Sequence, residues 1–174
     1  MKRNHTKYNC LAAMFLAIGM VLPLLTMQIK EIGDSLLPMH IPVMLCGLIC
    51  GPWHGLAVGF IMPIFRSVIF SMPPFYPNSV WMAFELAAYG LVIGLLYKKA
   101  KNKGTVYIYL SLISAMLCGR VVWGIAKLVL LGAAGKVFTF AAFITGGFID
   151  AIPGIVLQLV LIPAVMSMIN RERR

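Results

Sequence analysis

A few charged side chains stand inside otherwise apolar stretches of this 174-residue sequence: Glu85, Asp150, Arg66, Arg120 and Lys127. Placed at mid-bilayer, each would cost at least about 2.5–3.5 kcal/mol, so each demands a partner, a wet cavity or a route to the interface. Two kinds of chemistry suit such a set. In the first, the charges pair among themselves or snorkel outward, with Lys127 and Arg66 best placed to snorkel. In the second, they line a polar cavity whose basic excess suits a ligand carrying a carboxylate or phosphate. The planar fork of arginine matches a carboxylate bidentately, which puts Arg66 and Arg120 forward as anion holders. Glu85 and Asp150 can orient those arginines, or accept from ligand hydroxyls and amides.

Other side chains add to this pattern. Trp123 sits about one helical turn after Arg120, and Trp81, Phe75 and Tyr76 lie near the same end of their segments. They serve equally well as a cavity mouth or as an interfacial aromatic belt. His40 opens a short apolar run beside the outer surface, where it can bond a ligand or simply meet the interface. With only His5, His40 and His54 and no clustered carboxylates, a metal centre is not expected. Cys46 and Cys50 share a helical face but have no histidine nearby, so they read as small packing residues. The sequence has no nucleophile–base set and no phosphate-cradling glycine loop, which points away from an enzyme. Gly132, Gly135, Gly146 and Gly147 bracket a connection that either moves as a gate or forms turns.

The elements that position these residues follow from composition. The chain is 61% hydrophobic with mean hydropathy +0.93, and only 11% is charged. A soluble domain is about 25% charged, so water cannot be the main solvent of this surface. The predicted architecture is all-α: one integral membrane domain over 1–174, forming a bundle of six transmembrane helices. The spans are predicted at about 11–27, 38–50, 53–70, 79–97, 105–131 and 137–168. Gly51 and Pro52 break the second from the third, and Pro73, Pro74 and Pro77 forbid a continuous helix between the third and fourth. The second span is short, so five spans plus a re-entrant piece is the alternative count. The last two are long enough to tilt or break. The opening resembles a signal peptide but lacks a convincing small-residue cleavage site, so it reads as a retained first helix.

Most of the fifteen Lys/Arg crowd into three segments: Lys2, Arg3 and Lys7; Lys98, Lys99, Lys101 and Lys103; and Arg171, Arg173 and Arg174. With six spans all three fall on one side, while Lys30 and Lys136 fall on the other with Glu31 and Asp34. The positive-inside rule then puts both termini in the cytoplasm. The formal charge of +10 belongs to this topology code, and nucleic-acid binding, which needs a basic stripe with polar and aromatic contacts, is not expected. On this orientation the five in-membrane charges all fall in the external half or near the midplane. The first span also carries a small-xxx-small pair, Ala13 and Ala17, with Ala12 and Gly19 nearby, a spacing that lets another helix approach closely in lipid.

These features together resemble the substrate-binding membrane subunits, or S components, of energy-coupling factor (ECF) vitamin transporters. Ala13 and Ala17 match the family's Ala-xxx-Ala element. Residues 37–52, LPMHIPVMLCGLICGP, with Gly55, Gly59, Pro73 and Pro74, look like a vitamin-type member, as does FELAAYG over residues 84–90. The resemblance implies a non-catalytic subunit of a prokaryotic cell membrane, with no cofactor bound directly. It implies capture of a small vitamin or precursor from outside, with Ala13 and Ala17 facing a coupling transmembrane subunit served by two ABC-type ATPases that use ATP. It brings Glu85, Arg120, Trp123 and Asp150 into the pocket together with the loop after the first helix. Arg66, His40 and Trp81 are further candidates. The pantothenate-type group is favoured; riboflavin, folate, thiamine-precursor, pyridoxine and queuosine-precursor types stay open. So do a non-transport assembly or scaffold subunit and a small secondary carrier.

Overall fold

Apolar runs interrupted by proline and glycine give the chain its helices. The computed structural model describes residues 5–25, 37–100, 104–135 and 137–172. They form α1 (His5–Leu25), α2 (His40–Cys50), α3 (Pro52–Phe70), α4 (Val80–Lys99), α5 (Thr105–Ala133), α6 (Phe140–Ile144) and α7 (Ile152–Glu172). No strand occurs among the described residues. The basic residues Lys2, Arg3, Lys101, Lys103, Arg173 and Arg174 lie outside them, as do Lys30, Glu31, Asp34 and Lys136 and the loop after α1.

The architecture is an all-α polytopic bundle, but its helices are unequal. Among the described residues five are long and apolar enough to cross a membrane: α1, α3, α4 with the turn that precedes it, α5 and α7. The expected second span, α2, has 11 residues. At about 1.5 Å per residue it covers roughly half of a 30 Å hydrocarbon core. The helix expected over 137–168 is divided into α6, a wide turn at Thr145–Ile149, and α7. Gly146 and Gly147 sit in that turn, and Pro153 occupies the first turn of α7, where its missing N–H breaks no helical bond. Thr139 caps α6 by accepting from Ala142 N at 3.3 Å.

Helix α2 is the centre of the bundle. Ten of its residues are buried, against α1, α3, α4 and α7. It is left by a single glycine: Gly51 has φ 102°, in the region that favours glycine, and Pro52 then starts α3. A helix this apolar and this short is held by protein contacts, with its ends buried among other helices.

Close backbone approach explains how α2, α3 and α4 fit together. Gly55 and Gly59 on α3 are one turn apart, as are Gly90 and Gly94 on α4. A Cβ at Gly55 would stand 2.6 Å from the carbonyl oxygen of Gly90, and one at Gly94 would stand 2.6 Å from Cα of Pro52. In lipid such shape-matched contact, rather than hydrophobicity, holds helices together. The neighbours α4 and α5 then run antiparallel, with Trp81 and Lys127 meeting at one end. At the other end, Tyr8 and Asn9 of α1 meet His54 of α3, on the side to which α4 carries Lys98 and Lys99.

Candidate functional site

Antiparallel packing of α4 on α5 places Glu85 beside Arg120. Nη1 of Arg120 donates to Oε1 of Glu85 at 2.9 Å, and both side chains are almost wholly buried. Such a pair survives at depth because each charge neutralises the other and neither faces hydrocarbon. His40 joins them. It was expected beside the outer surface, but the half-length of α2 starts that helix inside the bundle, and His40 is only 1% exposed. Its Nε2 lies 3.5 Å from the same Glu85 oxygen, too far for a good hydrogen bond, and the ring stands edge-on to Tyr89 with centroids 5.0 Å apart. Tyr89 is seated by Gly119: a Cβ there would lie 2.7 Å from its ring.

An aromatic layer lies next to this cluster. The Arg120 guanidinium sits 5.9 Å from the Trp123 ring. Lys127, a turn further along α5, holds its ammonium 4.3 Å from Trp123, 5.1 Å from Trp81 and 5.4 Å from Phe138. The faces of these rings attract its charge. The wide turn after α6 brings Gly146 and Gly147 against Trp123, and Phe143 also packs on that indole. Below Arg120, a cavity of about 220 Å³ runs between α4, α5, this turn and α7, lined by Tyr89, Met116, Arg120, Phe148, Gln158 and Leu159 among others.

Two candidates from the sequence are not brought to this site. Arg66 is buried, but its Nη1 donates to the Met20 carbonyl at 2.7 Å and its guanidinium lies over Phe70. It ties α3 to α1 close to Pro23 of α1, and it does not meet Glu85. Asp150 is exposed in the turn before α7, with no ion pair among the described residues. The fold thus collects Glu85, Arg120, Trp123, His40 and Trp81 and leaves Arg66 and Asp150 outside.

Charge alone does not single out Gln158 and Tyr89. Gln158 is the one amide in the apolar run of α7 that precedes Asn170, and it is 1% exposed. A lone amide in such a run was the available signal, because a buried polar group in a membrane needs a reason. Its Nε2, Nη2 of Arg120 and both ring nitrogens of His40 have no hydrogen-bond partner among the described residues. Arg120 and Gln158, each with one unpartnered nitrogen, both line the cavity, whereas His40 does not. No cluster of metal-ligating side chains occurs among the described residues.

The family model for the substrate-specific component of ECF transporters matches residues 8–166, nearly the whole chain. The chain belongs to this family. Neither the curated proteins nor the solved structures yield a match. Membership makes this S component a multi-pass membrane protein and a transport subunit. It works with other ECF transporter subunits and takes a small-molecule substrate. Ala13 and Ala17 lie on the exposed face of α1, whereas Ala12 and Gly19 are turned into the bundle.

Proposed function

We propose that this S component captures a small water-soluble vitamin or precursor bearing one carboxylate, with pantothenate the favoured ligand. The carrying observation is the buried Arg120. One of its terminal nitrogens is held by Glu85, Nη2 has no protein partner among the described residues, and the residue lines the cavity. Held in this way the guanidinium is pre-oriented, and a ligand carboxylate gains a charge-assisted bond without first freeing the side chain. Lys127 and Trp123 form the adjoining aromatic layer. In this reading His40 and Glu85, beside Arg120, bond ligand hydroxyls or an amide.

The rest of the transport cycle lies with partners. The basic ends face the cytoplasm in this reading, so the Trp81–Lys127 end faces outside and loads there. The small-residue face at Ala13 and Ala17 meets the coupling transmembrane subunit, and two ABC-type ATPases hydrolyse ATP to drive release of cargo inside. The decisive experiment is thermal unfolding of the detergent-solubilised protein against a vitamin panel. Pantothenate is expected to raise the melting temperature, and Arg120→Ala is expected to remove that shift. A flat response across the panel refutes the ligand class. Ligand uptake into vesicles by this chain alone, without ATPases, refutes the partner-dependent mechanism.

A further inference from the structure

Gln158 occupies a costly position. It lies two turns into α7, in a stretch otherwise built from Ile, Val, Leu and Pro, and is 1% exposed. Its amide nitrogen meets no protein acceptor among the described residues. An unpaired buried amide destabilises a fold, and each such group in a native protein calls for an explanation, a bound partner being one. Gln158 also lines the same cavity as Arg120, whose free Nη2 is the second unpaired donor. Apart from Tyr89, the remaining wall, including Met116, Ile155 and Leu159, is apolar.

We infer that Gln158 is the specificity-determining residue of the cavity. Arg120 takes the carboxylate and Gln158 pairs with a second polar group on the ligand chain, an amide, carbonyl or hydroxyl. The assignment rests on the small-acid reading above and narrows it. The ligand is a compact aliphatic acid with a polar group part-way along its chain. At about 220 Å³ the cavity is smaller than the roughly 300–1,000 Å³ of ordinary ligand sites, which disfavours the fused-ring vitamins riboflavin and folate. A simple fatty acid of the same length would satisfy Arg120 but leave the Gln158 amide unpaired, and a site built to bond a polar group discriminates strongly against a ligand lacking it.

The test compares the full-length wild type with Gln158→Met, which keeps length and volume but removes the amide. Melting temperatures are measured alone and with titrated pantothenate, hexanoate, riboflavin and thiamine. Gln158→Met is expected to melt at or above wild type without ligand, because an unpaired polar group has been removed. Its pantothenate affinity is expected to fall about tenfold or more, while hexanoate is expected to bind the variant at least as well as the wild type. A variant that melts below wild type marks Gln158 as structural and overturns the inference. Wild-type affinity retained in the variant overturns the Gln158 assignment alone, leaving the small-acid reading intact. A wild type indifferent to all four compounds sinks that reading, and the ligand assigned to Gln158 falls with it.

Discussion

Arg120 and Glu85 are joined across the α4–α5 interface by a 2.9 Å charge-assisted hydrogen bond, with each side chain at least nine-tenths buried. The bond uses one guanidinium nitrogen and one carboxylate oxygen. It therefore holds the arginine in place while leaving Nη2 directed elsewhere. Holding the helices together and presenting a donor to the cavity are properties of the same contact.

Removing one partner leaves the other charged and buried, a change of about 3–5 kcal/mol. Arg120→Ala and Glu85→Ala are each expected to lower the melting temperature markedly. The double variant should be less destabilised than the two effects added, as a double-mutant cycle of thermal unfolding will show. Glu85→Gln keeps an acceptor for Arg120, and it is expected to insert normally while binding ligand more weakly.

Arg66 provides the contrast. Its bond to the Met20 carbonyl and its seat over Phe70 serve the α1–α3 contact. Arg66→Ala is expected to destabilise by about 1.5–3 kcal/mol, the usual worth of a hydrogen bond to a charged group. The ligand-induced shift in melting temperature should be unchanged. A lost shift in a protein that still folds would return Arg66 to the binding site.

Asp150 is exposed, and a surface substitution without partners normally changes stability by no more than about 0.5 kcal/mol. Asp150→Asn is expected to leave both unfolding and ligand affinity near wild type. A large loss of affinity by titrated thermal shift would mean that the turn before α7 closes onto the ligand.

Two glycines separate close packing from open surface. At Gly55 a Cβ would meet the Gly90 oxygen at 2.6 Å and Gly47 Cα at 2.8 Å, both backbone atoms that cannot turn aside. Gly55→Ala is expected to cost about 1–3 kcal/mol through forced separation of α2, α3 and α4. At Gly132, near the end of α5, nothing lies within 4 Å of the added atom. Gly132→Ala is expected to be neutral or stabilising by up to about 1 kcal/mol. Unfolding of the two variants in parallel checks both signs.

Much of the architecture was readable along the chain because burial in lipid imposes one-dimensional rules. A run of apolar residues must become a helix, and proline or glycine must break it. Long spans and the breaks at Gly51–Pro52 and Pro73–Pro74 followed from this. Glu85, Arg120 and Trp123 could be nominated on the same ground, since charge in an apolar run needs a partner. The division of residues 137–168 was harder to read. Gly146–Gly147 permits a turn, but Trp123, which those glycines pack against, lies on another helix.

Partnership is a property of three-dimensional register, and residue order does not contain it. Arg66 and Arg120 look alike as arginines in apolar helices, yet one meets a backbone carbonyl and the other a carboxylate. His40 looked interfacial until the short α2 began inside the bundle, and Gln158, which carries no charge to mark it, lines Arg120's cavity only through the packing of α7. Composition and the cost of buried charge settle that this chain is a membrane bundle holding a few polar groups that need explaining. Which of those groups meet depends on helix length, rotation and backbone approach, because a hydrogen bond is decided over tenths of an ångström between residues far apart in the chain.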